Sequence, residues 1–141
     1  MEPTGRERRL KPRYSAALRC TLSLPPEGRD ILFPNAQLAC RTRDLSESGI
    51  GLVADSIYLG YTCVVDEGRA LELALELPAG VVVTLRVASA HYLRLDRDEA
   101  EAIYLIGFRI VEAEGEDLAR FTEYLGSLEN SEQSGTHLQH D

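Results

Sequence analysis

The sequence predicts an all-β domain with one C-terminal helix, built as a small six-stranded antiparallel β-barrel behind a flexible N-terminal arm. Two patterns indicate this: several segments alternate apolar and polar residues with period two, and one late segment repeats apolar residues at spacings of three and four. Six short, mostly sequential strands must hide their edges in a sandwich or a closed barrel, and the strand count favours the barrel.

The alternating runs locate the strands. They cover residues 14–22, 37–45, 49–54, 71–77, 81–87 and 102–110. Pro78-Ala79-Gly80 joins two of the runs, which predicts a hairpin. The stretch from Pro25 to Asn35 contains three prolines and is predicted to be a loop.

One helix is predicted after the last strand, and it could cap the open end of the barrel. Its apolar stripe consists of Leu118, Phe121, Tyr124, Leu125 and Leu128. Glu116 and Asp117 lie in its first turn, where the helix dipole favours acidic side chains. The sequence thus divides into a flexible basic arm over 1–13, a barrel with its helix over 14–129, and a polar tail over 130–141 that is predicted to be disordered.

Composition excludes several classes of protein. Hydrophobic residues make up 44% and charged residues 27% of the 141 residues, as in soluble globular domains. No apolar run reaches the ~20 residues of a membrane span, and the N-terminus lacks the apolar core of a signal peptide, so we expect a cytoplasmic protein without membrane insertion. The three cysteines have no metal-ligand spacing, and we expect buried thiols at Cys20 and Cys40 and no metal or cofactor.

The charge is unevenly distributed along the chain. Residues 1–19 contain six basic and two acidic residues, a net charge of +4, and the remainder contains nine basic and 21 acidic residues, a net charge of −12. A basic arm on an acidic body favours a local anion site. It disfavours a nucleic-acid polymer as partner, including weak binding through the arm, because the body would repel a long polyphosphate.

Two motifs stand out. Arg9 and Arg13 form an RxxxR pattern directly preceded by Arg8, and Asp44, Ser46 and Gly49 form a DxSxxG pattern between two predicted strands. With 14 arginines in the chain, an RxxxR pattern occurs by chance about once, whereas [DN]xSxxG has a chance count of about 0.05. The second motif is therefore the more informative one.

With these motifs in this order, the chain resembles the PilZ domain family. The resemblance extends from about Arg8 to about Leu125 and includes a glycine-containing last strand, Ile106–Ile110, before the helix. Ile110 stands where the family often has phenylalanine, and the Pro25–Asn35 loop lengthens the spacing between the motifs. The resemblance implies a barrel that binds cyclic di-GMP. In this family, an arginine at the position of Arg8 also tends to accompany binding of an intercalated ligand dimer.

The chemistry of the motif residues suits that ligand. The planar guanidinium groups of Arg9 and Arg13 match phosphate oxygens and guanine edges, and Pro12 between them disfavours helix and keeps the arm extended. Asp44 can accept guanine N–H groups, and Ser46 adds a hydroxyl. Gly49 removes a side chain where backbone or ligand approaches closely.

We therefore expect a cyclic di-GMP receptor or adaptor whose N-terminal arm changes conformation on binding and signals to a downstream protein, in processes such as motility or surface attachment. No nucleophile-elbow, phosphate-loop or paired-carboxylate signature indicates an enzyme. The alternative is a protein-interaction adaptor on the same fold that does not bind nucleotide.

Structural roles are the competing interpretation for several of these residues. The DxSxxG segment can be a plain β-turn, because Asp, Ser and Gly are turn formers, and both roles can hold together. Gly51 and Gly107 are expected as packing or bulge residues. Arg41 and Arg43 are expected on a solvated strand face, and His91 is expected to be a strand residue without a special role.

Overall fold

The computed structural model describes residues 12–28, 32–66, 68–98 and 101–139. Their strands are β1 (Tyr14–Ser15), β2 (Arg19–Ser23), β3 (Gln37–Leu45), β4 (Gly49–Ala54), β5 (Tyr58–Leu59), β6 (Thr62–Cys63), β7 (Ala70–Glu76), β8 (Val82–Asp98) and β9 (Glu101–Glu112). One helix, α1 (Gly115–Gln139), follows, and short 3₁₀ turns lie at Pro26–Gly28 and Pro78–Gly80.

Six of these strands form a closed antiparallel barrel in the order β3-β2-β7-β8-β9-β4, with β4 pairing back onto β3. The predicted fold class is therefore confirmed. β5 and β6 form a separate two-stranded ribbon, and β1 lies along the same edge of β3 as β2. Closure satisfies the edges of the barrel strands, which an open six-stranded sheet would leave exposed.

The first predicted strand, at 14–22, is interrupted between β1 and β2, and hydrogen bonds from Thr42 of β3 stabilise the chain at this break. Its hydroxyl accepts the Leu18 N–H at 2.8 Å and donates to the Ala16 carbonyl, and its own N–H donates to the Leu18 carbonyl at 2.8 Å. The period-two burial pattern nevertheless continues across the break. As a result β1 pairs with the far end of β3, with Ser15 opposite Asp44, and the chain enters the barrel beside Asp44.

The hairpin predicted around Pro78-Ala79-Gly80 is present, but its second strand is longer than the alternating run at 81–87. β8 continues to Asp98 and pairs with β9 along its length, interrupted by three irregularities in register. The extension is missed from sequence because the side chains of residues 90–95, including Tyr92 and Leu93, are exposed on both faces, so no buried apolar face marks it.

The barrel interior is filled mainly by aliphatic side chains, and the helix closes it. The leucines of β7 alternate inward and are fully buried at Leu71, Leu73 and Leu75. Phe121 is 1% exposed, and with Leu125 it joins the same core. Leu118, predicted on the same stripe, is instead 46% exposed, so the first helical turn contributes little to the core.

The C-terminal segment differs from the prediction of a disordered tail from residue 130. The helix continues through Asn130 to Gln139. No proline interrupts residues 115–139, and composition alone does not reveal that a helix continues through the polar sequence after Asn130. Among the described residues, no helix combines the length and the apolar character needed to cross a membrane.

Candidate functional site

A bulge in β3 creates the first part of the site. Thr42 pairs with Leu52 and Asp44 pairs with Gly51, so Arg43 is an extra residue without a partner on β4. Thr42 and Leu45 are buried, whereas Arg43 and Asp44 between them both reach solvent. The bulge therefore places a basic and an acidic side chain next to each other on the outer face of the barrel.

Arg13, directly before β1, contacts this acidic side chain. Its Nη2 and Nε lie 2.6 and 3.1 Å from Oδ1 of Asp44, and the two side chains are 50% and 26% exposed. An ion pair this exposed contributes about 0–1 kcal/mol to stability, so a charged ligand can compete for either partner at low cost. Both hydrogen bonds end on Oδ1, which leaves Oδ2 in this pairing for other donors.

A transverse row of four residues continues the site across neighbouring strands. Asp44 of β3 pairs with Gly51 of β4, Gly51 pairs with Gly107 of β9, and Gly107 pairs with His91 of β8. The two central positions carry no side chain. The groove floor there is strand backbone, bounded by a carboxylate on one side and an imidazole on the other.

Both glycines are required by close approach rather than by backbone conformation. A Cβ atom added at Gly51 would lie 2.7 Å from Asp44 Oδ1, and one at Gly107 would lie 2.5 Å from His91 Nε2. The missing side chains thus let Asp44 and His91 lean across the neighbouring strands. A second bulge, between Ser89 and His91, accompanies the placement of the imidazole.

These features form a groove of about 820 Å³ on the outer face of the barrel. Arg13, directly before β1, and Arg43 and Asp44 of β3 line its polar side. Its opposite side carries the cross-strand pair of Leu93 and Leu105, which is apolar. Such a lining fits a ligand that has an anionic, hydrogen-bonding group at one end and a flat apolar group at the other.

Ser46 and Gly49 form the turn that ends β3 and begins β4. The Ser46 hydroxyl accepts the Gly49 N–H at 3.0 Å and the Ser48 N–H at 3.3 Å, and the Ser46 N–H donates to the Gly49 carbonyl at 2.9 Å. Ser46 is buried, whereas Asp44 reaches solvent, so the two do not share a strand face. Because the strand ends at Leu45 and carries a bulge, regular alternation does not extend to Ser46.

Gly49 packs against both the barrel and Arg13. A Cβ atom there would lie 2.9 Å from the Phe108 carbonyl oxygen and 3.7 Å from Arg13 Nη1. The turn therefore lets the guanidinium of Arg13 rest between Gly49 and Asp44. The Ser46–Gly49 segment is therefore a β-turn, and it also positions Arg13 beside Asp44.

The structure brings together two of the sequence-predicted ligand residues, Arg13 and Asp44, and places Ser46 and Gly49 in the adjoining turn. Arg8 and Arg9 lie outside the described residues.

Groove residues that were not predicted as ligand contacts are Arg43, His91, Gly51 and Gly107. A glycine two positions after the DxSxxG motif was the available indication for Gly51, whereas His91 and Arg43 depend on bulges that the pattern does not reveal. Within the described part of the chain, no three His, Cys, Asp or Glu side chains cluster as metal ligands would.

Comparison with solved structures identifies the architecture. The PilZ domain of Escherichia coli YcgR, solved with c-di-GMP, superposes with a TM-score of 0.64 at 16% identity, covering 92% of this chain and 98% of that one. K. pneumonia MrkH in its apo state gives a TM-score of 0.67 at 17% identity, covering 89% of this chain. The Bacillus subtilis inhibitor of motility MotI gives 0.55 at 17% identity, covering 88% of this chain. This chain covers about half the length of the latter two, 52% and 54%.

Sequence comparison gives the family. No individually curated protein sequence matches the chain. The family model described as "PilZ domain" matches residues 7–127, which include both motifs, the whole barrel and the first half of the helix. The chain therefore belongs to the PilZ domain family.

Proposed function

We propose that this domain is a receptor for cyclic di-GMP, which it binds in the groove between Arg13 and the Leu93–Leu105 pair. The observation that carries the proposal is the exposed guanidinium of Arg13 resting on the carboxylate of Asp44 above a floor of two glycines. The c-di-GMP-bound PilZ domain of YcgR supports the choice of ligand, since it matches nearly the whole chain in fold.

The groove offers each chemical group of the ligand a partner. Cyclic di-GMP has two phosphates and two guanines. Arg13 can bind phosphate oxygens or the O6 and N7 edge of a guanine, and Arg43 adds a second positive charge. Asp44 can accept guanine N–H groups on Oδ2 while Oδ1 keeps Arg13 in place. The apolar pair Leu93 and Leu105 can cover the flat face of a purine.

The N-terminal arm supplies the remaining part of the proposal. Arg9 precedes Arg13 by four residues, and Pro12 disfavours helix between them, so the arm can follow the ligand in an extended form. Arg8, directly before the motif, would add a contact to a second, intercalated ligand molecule. We propose that the bound nucleotide draws the arm onto the barrel.

Output then passes to another protein. Ordering of the arm would create a surface that exists only in the bound state, and a partner that recognises this surface would read the nucleotide concentration. The domain itself would carry out no chemistry. The name of MotI, an inhibitor of motility, makes motility a reasonable first process in which to seek the partner.

The proposal is tested by calorimetric titration of the full chain with cyclic di-GMP, using GMP as the control ligand. We expect saturable binding with a stoichiometry of one or two nucleotides per chain and no comparable binding of GMP. Absence of binding at tens of micromolar ligand would reject the receptor function. It would favour the alternative of a PilZ-fold adaptor that recognises proteins without nucleotide.

Gly51→Ala is expected to weaken cyclic di-GMP binding about 10-fold or more while leaving the fold intact. The added methyl group would lie 2.7 Å from Asp44 Oδ1, so the carboxylate must rotate away from both Arg13 and the ligand. A loss of one charged hydrogen bond corresponds to about 1.5–3 kcal/mol. Calorimetry measures the affinity, and circular dichroism checks the fold.

The matched control is Gly126→Ala, in which the same methyl group is added to the helix at a point where no atom of the described residues lies within 4 Å. This variant should bind like the wild type. Equal affinities for Gly51→Ala and Gly126→Ala would show that the position of Asp44 does not matter for binding.

His91→Ala is expected to weaken binding by about 3- to 10-fold, because the imidazole borders the groove floor at Gly107 and can stack on a guanine. His91→Phe keeps a ring of similar width and should retain most of the affinity. The comparison is made by calorimetric titration with cyclic di-GMP. If both variants bind like the wild type, the ligand does not reach β8.

A further inference from the structure

Cys20 and Cys40 lie opposite each other on two neighbouring strands of the barrel wall, β2 and β3. They are direct partners in the antiparallel pairing of β2 with β3, and their Sγ atoms lie 3.3 Å apart. Directly opposed residues in antiparallel strands have Cα atoms about 4.5–5.5 Å apart, which lies within the range that disulfides span. Rotation of the two side chains, with little movement of the backbone, would bring the sulfur atoms to bonding distance.

The two thiols differ in access. Cys20 is buried, and its hydrogen bond with Cys40 together with burial raises the pKa of Cys20 above the usual thiol range. Cys40 is partly exposed, and its thiol is within hydrogen-bonding distance of the carbonyls of Cys20 and Leu38, at 3.6 and 3.7 Å. A thiol that reacts first with a reagent in solution must be accessible, so the first attack is assigned to Cys40.

We propose that Cys20 and Cys40 form an oxidation site in which a small-molecule disulfide, such as glutathione disulfide, closes a cross-strand bond between them. The Cys40 thiolate attacks the reagent, forms a mixed disulfide and releases one glutathione thiol. Cys20 then attacks the Cys40 sulfur and releases the second. The protein loses two protons and two electrons, which convert one reagent disulfide into two thiols.

The bond would stabilise the strands that position the ligand site. It would enclose residues 21–39, including the proline-containing loop, and so restrict the unfolded chain. Thr42, which holds the break between β1 and β2, lies two residues beyond Cys40 on the same strand. Cys63 lies on β6, outside the six-stranded barrel, and should take no part in the bond.

The test is to equilibrate the folded full chain with glutathione disulfide, quench it, denature it, alkylate it and measure its mass. The reduced wild type has three thiols to alkylate, and we expect oxidation to remove those of Cys20 and Cys40, with a fragment linking Cys20 to Cys40 in tandem mass spectrometry. Dithiothreitol should restore three. The oxidised protein should melt about 10 °C higher than the reduced protein.

Two variants give the controls. Cys63→Ser should still close its bond, with alkylated thiols falling from two to zero, whereas Cys40→Ala should keep Cys20 alkylated. Three alkylated thiols in the oxidised wild type, or a bond that links Cys63, would overturn the proposal. The mass measurement on the wild type needs no substitution, so a variant that fails to fold does not affect the outcome.

Discussion

Arg13→Ala is expected to lower the affinity for cyclic di-GMP by about 100-fold, and Arg9→Ala with Arg13→Ala is expected to abolish binding at tens of micromolar ligand. Removing one partner of a hydrogen-bonded charge pair in an interface costs about 2–5 kcal/mol, or about 30-fold to more than 1000-fold in affinity. Arg13 already lies at the groove beside Asp44, so this loss affects a contact prepared before the ligand arrives. Calorimetric titration measures the change.

Arg120→Ala is the matched control for this variant. Like Arg13, Arg120 is half-exposed and pairs with one carboxylate, Glu116, but it lies on the helix and does not line the groove. The control removes the same charge and should bind like the wild type. A similar loss in Arg120→Ala would mean that Arg13 acts through overall charge rather than through contact. Full affinity in Arg13→Ala would place the ligand elsewhere.

Phe121→Ala is expected to destabilise the protein by about 3–5 kcal/mol, the range for truncating a buried phenylalanine. Phe121 is the large aromatic side chain by which the helix enters the barrel core, and its removal leaves a cavity that aliphatic neighbours cannot fill. Urea denaturation followed by circular dichroism measures the change in the free energy of unfolding.

Leu118→Ala on the same predicted stripe provides the comparison. Because Leu118 is largely exposed, its truncation should cost less than about 1 kcal/mol. Equal costs for the two variants would contradict the packing of the helix described above. The comparison also separates core burial from helix propensity, since alanine is a good helix former at both positions.

The fold could be predicted from the sequence wherever one face of a strand is buried. β3 and β4 match the runs at 37–45 and 49–54, and the hairpin around Pro78–Gly80 follows from its turn residues. The prediction was incomplete where no buried face exists. The outer half of β8 lacks apolar alternation, and residues 130–139 continue the helix without a hydrophobic stripe that would mark it.

The site could be predicted only in part, for a different reason. Asp44 and Arg13 belong to motifs, and the register between β1 and β3 brings them together. Arg43 and His91 reach the groove through bulges in β3 and β8, which change side-chain direction by one residue. Strict period-two alternation places both side chains on an ordinary solvated face, so their positions follow only from tertiary pairing.

The most direct test of cyclic di-GMP binding in this groove is amide chemical-shift mapping by NMR during titration of the full chain. Binding at the proposed site predicts the largest shifts at Arg13, Asp44, Gly51, His91 and Gly107, with little change at the Pro78–Gly80 turn or along the helix at Arg120. Shifts centred on the helix and that turn, or no shifts at tens of micromolar ligand, would contradict it.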